Sequence, residues 1–386
     1  MERRTMRYVI GRPNRAARRA GSRWLAAVCW TAFGIGIVMS ISVMLATSAY
    51  RNAESSETYP FQEGSGGVAS SNGASADGFG QAPLPSPAGK PAAAGSKEKE
   101  TYITVYLTKE QRTERVSMET YVRGVVAGEM PAEFELEALK AQAIAARTYI
   151  VRRLELDDHS GMPSSAAASR ADVTDTVDHQ VYIPLDKLKG LWPKDKQEAN
   201  LAKLNKAVSE TRGEIITYGG EPIQAVFFST SNGYTENSEQ YFQEQLPYLR
   251  SVASPWDKLI SPRYQETVKL SFSDFYARLG LGGKKKPDIR VLDKTEGKRI
   301  ADILIDGKTF TGREVREKLG LASSQFLWKL DGNSISFTTF GYGHGVGMSQ
   351  WGANGMAEEG KSAEQIVTYY YTDTKVEQAS KLAIKS

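Results

Sequence analysis

Three histidines (His159, His179, His344) and a single cysteine (Cys29) limit the chemistry open to this chain of 386 residues. A metal hydrolase needs clustered His, Cys, Asp or Glu ligands, and neither HExxH nor CxxC occurs. Structural metal binding at VDHQVY, through Asp178 and His179, stays open. The stretch FGYGHGVGMSQWGANG, Phe340 to Gly355, sets glycine at every second position from Gly341 to Gly347, with His344 among them. A phosphate cradle is excluded: GxxxxGK followed by Ser or Thr is absent, and no strand, glycine turn and helix precede a suitable acidic residue. Alternate glycines more often let backbone approach a partner or turn tightly. A serine nucleophile is weakly supported, since no GxSxG occurs and His344 is its main candidate base.

Carboxylates remain. Glu129, in VVAGEMPAEF, stands between two helical stretches with Gly128 and Met130 beside it and Pro131 behind. An acid in an apolar junction has its pKa raised by desolvation and stays protonated near neutrality, as a general acid must. The competing reading is a solvated glutamate at a helix end. The helix dipoles do not decide, because the C-terminus of the first helix raises the pKa and the N-terminus of the second lowers it.

Which elements would position these groups? TYITVYLT alternates apolar and polar residues and predicts a strand, with ERVSM as its partner. Ser117 to Glu129 reads as a helix capped by Ser117 and ended by Pro131. AEFELEALKAQAIAARTYIVRRL predicts a long helix with the apolar stripe Leu136, Leu139, Ala143, Ala146, Ile150 and Leu154. Glu133, Glu135 and Glu137 load its first turns and Arg152 and Arg153 its last. EIITYGGEPIQAVFFSTSNG predicts a hairpin turning at Gly219 and Gly220, with Ile223 to Ser229 as an inner strand. RIADILID and SISFTTF predict further strands, and helices are expected near Phe272 to Leu279 and Gly312 to Leu319. With no internal repeat and no βαβ rhythm, the fold class is α+β, a mixed single domain over 100–380.

That domain follows three segments of different composition. Eight arginines and Glu2 occupy residues 1–23. Without them, 49 basic and 45 acidic residues become 41 and 44, so the overall +4 turns to about −3 and no nucleic-acid surface is expected. Trp24 to Tyr50 carries no charge, and a transmembrane helix is expected over 24–48, long enough for a core of about 30 Å. The arginines place the N-terminus in the cytoplasm and the rest outside, as a single-pass protein of the cell membrane. Cleavage near Ala46 to Ser48 is the alternative. Residues 49–99, rich in Ser, Gly, Ala and Pro, read as a disordered tether with an end-to-end distance of roughly 40 Å. Cys29 falls in the membrane segment, so the outer domain has no disulfide.

Three stretches in order, YVRGVVAGEMPAEFELEALKAQAIAARTY, FFSTSNGYTENSEQYF, and FGYGHGVGMSQWGANGMAEEG followed by YYYTDT, resemble the stage II sporulation protein D family over roughly Thr101 to Val376. The resemblance implies a lytic transglycosylase that cuts MurNAc to GlcNAc bonds of peptidoglycan, preferring denuded strands. It also implies engulfment of the forespore at the septal membrane, beside stage II sporulation proteins P and M. It makes Glu129 the catalytic acid. An ordinary glycosidase needs two carboxylates, whereas this reaction needs one, which protonates the glycosidic oxygen and then helps the sugar's C6 hydroxyl close onto C1 as a 1,6-anhydro product. The other two motifs supply neutral groups. Ser229, Thr230, Ser231, Asn232 and Gly233 follow an inner strand and could line the cleft, or form a turn bonded to itself. Gln142 and Arg147 lie off the apolar stripe and could face the groove, although Arg147 could equally be solvated or ion-paired. His344, Gln350 and Trp351 could contact sugar hydroxyls and N-acetyl groups, or His344 could be a buried imidazole and Trp351 core. Gly345 would keep the groove floor low. Some relatives hold zinc through a Cys and a His in a stretch like ADVTDTVDHQVY; here Thr174 takes the cysteine's position, so no zinc and no cofactor are expected. The alternative function is a non-catalytic, membrane-anchored peptidoglycan scaffold.

Overall fold

The computed structural model describes residues 100–283 and 285–381, which fall within one of the two units of the chain, Ala93–Ser386. The basic tail, the expected membrane helix and the tether lie outside the described residues. No helix among those described is long and apolar enough to cross a membrane.

The alternation of TYITVYLT becomes β1, Tyr102–Leu107, with Ile103, Val105 and Leu107 buried. The antiparallel partner β2, Arg112–Ser117, sets Ser117 opposite Tyr102. α1, Met118–Glu129, follows directly. Ser117 takes the extended conformation of an N-cap, but its hydroxyl donates to Thr120 Oγ1 at 2.9 Å rather than accepting a backbone N–H. Met130 turns extended ahead of Pro131, which ends the helix. α2 is Leu136–Glu155, four residues shorter at its start than the sequence predicts. Residues 131–135 form a turn closed by the Phe134 N–H on Pro131 O at 3.1 Å, so Glu133 and Glu135 precede the helix and only Glu137 lies in its first turn.

β3, Val173–Thr174, adds to the free edge of β1 in parallel. The short α3, Leu185–Leu188, leads to α4, Gln197–Glu210, and then to the hairpin of β4, Glu214–Tyr218, and β5, Glu221–Pro222. Only Phe227–Phe228 of the expected inner strand is β6, because a tight turn from the Val226 N–H to Gln224 O breaks it. α5 is the single turn Asp257–Ile260.

Residues 265–340 build a satellite lobe on a core of their own, including Phe275, Ile303, Val315, Leu319, Ile335 and Phe337. Its elements are β7, Gln265–Ser271; α6, Phe272–Leu279; β8, Ile289–Lys294; β9, Ile300–Ile305; β10, Lys308–Thr311; α7, Gly312–Leu319; β11, Phe326–Asp331; and β12, Ser334–Phe340. They form two antiparallel sheets of order β11-β12-β7 and β10-β9-β8. Ser271 and Thr311 cap the two helices through their hydroxyls, and Gly280 and Gly320 end them in the left-handed conformation.

The chain then returns to the main body as β13, Met348–Ser349, parallel to β6; α8, Gln350–Glu358; α9, Ala363–Tyr370; and β14, Lys375–Gln378, against β4. α1, α4, α8, α9 and β4 surround α2. Its alanines permit that crowding, and burial extends beyond the expected stripe to Ala138, Ala141, Gln142, Ile144, Ala145, Arg147 and Thr148. Helices and strands are thus mixed without a βαβ series, an α+β architecture.

Candidate active site

The alternate glycines work as a zipper. Gly341, Gly343, Gly345 and Gly347 all have positive φ, and the residues between them pair with the second motif. Tyr342 and Thr230 exchange backbone hydrogen bonds at 2.7 and 3.0 Å, and Glu236 N–H donates to Gly345 O at 2.8 Å. At Gly347 a Cβ would lie 2.1 Å from Val226 O, so only glycine permits the approach. From Gln350 onward the stretch is helix α8, not turn, with Ser349 accepting the Gly352 N–H as its N-cap.

Glu129 is the last residue of α1 and is partly exposed. A segment without regular secondary structure, 180–183, crosses α1 over two glycines one helical turn apart. A Cβ on Gly124 would meet the Tyr182 ring at 2.4 Å, and one on Gly128 would meet Val181 O at 2.6 Å. This close crossing brings the Val181 N–H to Glu129 Oε1 at 2.7 Å. From the other side, Gln350 Nε2 donates to the Glu129 backbone oxygen at 3.1 Å and lies near Gln142 Oε1, at 3.5 Å. Burial pushes the Glu129 carboxyl up to about 7, against the lowering effect of the Val181 N–H and the Gln350 amide. No cation and no second carboxylate is among the groups that set its titration. A carboxyl in this state can give up a proton near neutrality and be held as an anion afterwards.

Gln142, Gln350 and Glu129 are therefore together, and Ser229 is next to them through its carbonyl, which accepts the Trp351 N–H at 3.1 Å. Trp351 is partly exposed and stands edge-on to buried Phe134, 4.7 Å between centroids. The remaining expected residues are placed differently. Arg147 does not face a groove: it is buried, ion-paired to Glu119 at 2.6 Å, and donates to Glu214 O, because α2 is covered on that side by β4. Ser231 and Asn232 are buried within their own loop system, Ser231 on Asp257 and Ser254 O, Asn232 on Gly297 O and Gln325. Gly345 is not groove floor. It lies against the Arg299 guanidinium, where a Cβ would be 2.4 Å from Cζ.

His344 Nδ1 accepts the Val346 N–H at 3.1 Å, which leaves Nε2 to donate to Phe227 O at 3.0 Å. Burial, and then the charge of Arg316, pull its pKa to about 4, so it is neutral at physiological pH. It faces a cavity of about 270 Å³ shared with Glu236, Tyr241, Arg299 and Arg313. Glu129 is not part of that cavity. At the zinc-like stretch, Thr174 Oγ1 and His179 Nδ1 meet at 2.8 Å, and His179 Nε2 is 3.1 Å from Ser160 O. A hydroxyl and one imidazole already engaged on both nitrogens do not suit zinc, and no group of three ligating side chains occurs among the described residues.

Two features escape the sequence reading. One is the Val181 donor, a backbone group whose only trace is the spacing of Gly124 and Gly128. The other is Asp257, an acid with no motif around it.

A family profile described as Stage II sporulation protein matches residues 106–218. Stage II sporulation protein D of Bacillus subtilis is 47% identical over 295 residues, covering 75% of this chain and 84% of that protein. The Bacillus amyloliquefaciens protein of the same name is 46% identical over 290 residues, covering 75% and 82%. The amidase enhancer of Bacillus subtilis is 28% identical over 307 residues, covering 66% of this chain and 40% of that protein. With the three motif stretches joined around Glu129 and identity of this extent, the chain belongs to the stage II sporulation protein D family.

Proposed function

We propose that the protein is a membrane-anchored lytic transglycosylase that cleaves MurNAc to GlcNAc bonds in denuded peptidoglycan during forespore engulfment. The observation that carries this reading is the uncharged setting of Glu129, a partly exposed acid with its pKa raised to about 7. In the first step the protonated carboxyl gives its proton to the glycosidic oxygen, and the bond from that oxygen to C1 breaks. In the second, the carboxylate takes the proton of the C6 hydroxyl as its oxygen bonds to C1. No water is consumed and Glu129 ends protonated. Between the steps, the Val181 N–H on Oε1 stabilises the anion, while the Gln350 amide holds the Glu129 backbone oxygen. In this reading the partly exposed Trp351 ring and the Ser229 hydroxyl contact the sugar.

The name of the amidase enhancer favours a second reading, a scaffold that presents glycan to a partner such as stage II sporulation protein P or M. Digestion of purified glycan by the purified chain, with products weighed by mass spectrometry, separates the two. The first reading expects anhydro ends that vanish in Glu129→Gln; unchanged glycan with the wild-type chain supports the scaffold.

A further inference from the structure

Asp257 joins the motif stretches without belonging to any of them. Its carboxylate is fully buried and accepts four hydrogen bonds. Oδ1 takes the Ser231 N–H at 2.7 Å and the Ser349 hydroxyl; Oδ2 takes the Ser231 hydroxyl at 3.0 Å and the Ser254 hydroxyl at 2.7 Å. Ser254 is bonded in turn to the Tyr370 hydroxyl of α9 at 2.8 Å. Ser349 caps α8, and the next residue is Gln350, whose amide donates to the Glu129 backbone oxygen at 3.1 Å. A buried acceptor with this many donors fixes its partners, since releasing any one leaves a polar group without a bond.

We propose that Asp257 is a positioning residue for Glu129: by fixing Ser349 and the start of α8, it holds the Gln350 amide on the Glu129 backbone oxygen and so fixes the C-terminal end of α1 that carries the acid. The role in catalysis rests on the reading of Glu129 given above, but the coupling itself does not.

Charges elsewhere do not obscure the test. Around Glu129, Val181, Gln142 and Gln350 are neutral, and the titratable Tyr121 on the same helix is kept protonated by burial. Around Asp257 stand Tyr264, Tyr370 and Arg299, none of which contributes to the Glu129 titration.

The experiment follows the Glu129 carboxyl by carbon-13 NMR in the full chain, labelled at glutamate carboxyls and assigned by the signal lost in Glu129→Gln. Gln350→Ala removes the amide that holds the Glu129 backbone oxygen and lowers the carboxyl's titration, and should move it up by about half a pH unit, the low end for one hydrogen bond. Asp257→Asn should move it in the same direction, and should add nothing in the Gln350→Ala background. If Asp257→Asn does not fold, Ser349→Ala carries the same expectation. A folded Asp257→Asn or Ser349→Ala chain with the titration unmoved, or with its full shift added to that of Gln350→Ala, overturns the proposal. Should the wild-type chain release no anhydro product, the catalytic reading fails while the NMR titration still decides the coupling.

Discussion

Burial raises the pKa of both Glu129, which is partly exposed, and Glu236, which is buried, but their surroundings differ in a second respect. Glu236 faces Arg299, Nη1 to Oε1 at 2.9 Å, with the Thr295 hydroxyl as a further donor, and both partners of the pair are buried. Glu129 has a backbone N–H and an amide but no cation. A countercharge turns a buried acid into part of the frame; its absence leaves a proton poised to leave near pH 7. A cavity of about 270 Å³ lies beside Glu236, yet its buried arginine already has an acid for a partner.

Four substitutions press on this contrast, the largest effect first. Glu129→Gln should lower anhydro-product release by roughly 10²- to 10⁴-fold, the contribution of a general acid. Glu236→Gln should leave product per folded molecule unchanged, and equal losses for both in a timed digest would erase the distinction. Arg299→Met strands Glu236 as an unpaired buried charge and should destabilise the fold by about 3 to 5 kcal/mol. Gly345→Val, forced onto the same guanidinium at positive φ, should do comparable damage, with activity lost only as folded protein is lost. Denaturant titration monitored beside activity checks both.

A further effect concerns stability and pH. The folded-state pKa of Glu129, about 7, is above its ordinary value of 4.5, so the native state binds this proton more tightly than the unfolded chain does. Stability from this group is highest below about pH 4.5, falls as pH rises to about 7, and is lower by about 3 kcal/mol thereafter. Glu129→Gln should therefore stabilise the protein at pH 8 and change little at pH 4; an equal change at both would show that the carboxyl bears no burial penalty. Wild-type activity should decline as pH rises through about 7, as the acid form is lost. Smallest is Thr174→Ala, which removes a hydroxyl partner of His179 and should cost about 1 kcal/mol with no change in product.

Periodicity and capping made much of the architecture legible. β1, β9, β12, α6 and α7 lie where alternation or an amphipathic pattern with Ser, Thr and Gly punctuation sets them. Two kinds of information were not in the pattern. An apolar stripe says which face of α2 is buried first, not that other elements cover the rest, so Gln142 and Arg147 could be located only by the packing. The strand expected over Ile223 to Ser229 failed because a local turn at Gln224 overrode β-propensity. Within the candidate site, the apolar junction marked Glu129 but left it open between a general acid and a solvated glutamate, and it was the family resemblance that singled it out, as it did Ser229 and Gln350. Ser231 and Asn232 were legible as a polar turn, but their bonds to Asp257 and Gln325 depend on chain separated from them by 26 and 93 residues.

The nearest donor to Glu129 is a peptide N–H, and this sets which positions are free to vary over evolutionary time. Any amino acid except proline supplies that group at position 181, so the side chain there carries almost no selective record of its contribution. The constraint is displaced onto Gly124 and Gly128, which admit the crossing segment but never touch the acid's proton. A Val181→Pro replacement would silence the donor while leaving every polar side chain of the site intact, a lesion that no inventory of functional groups would anticipate.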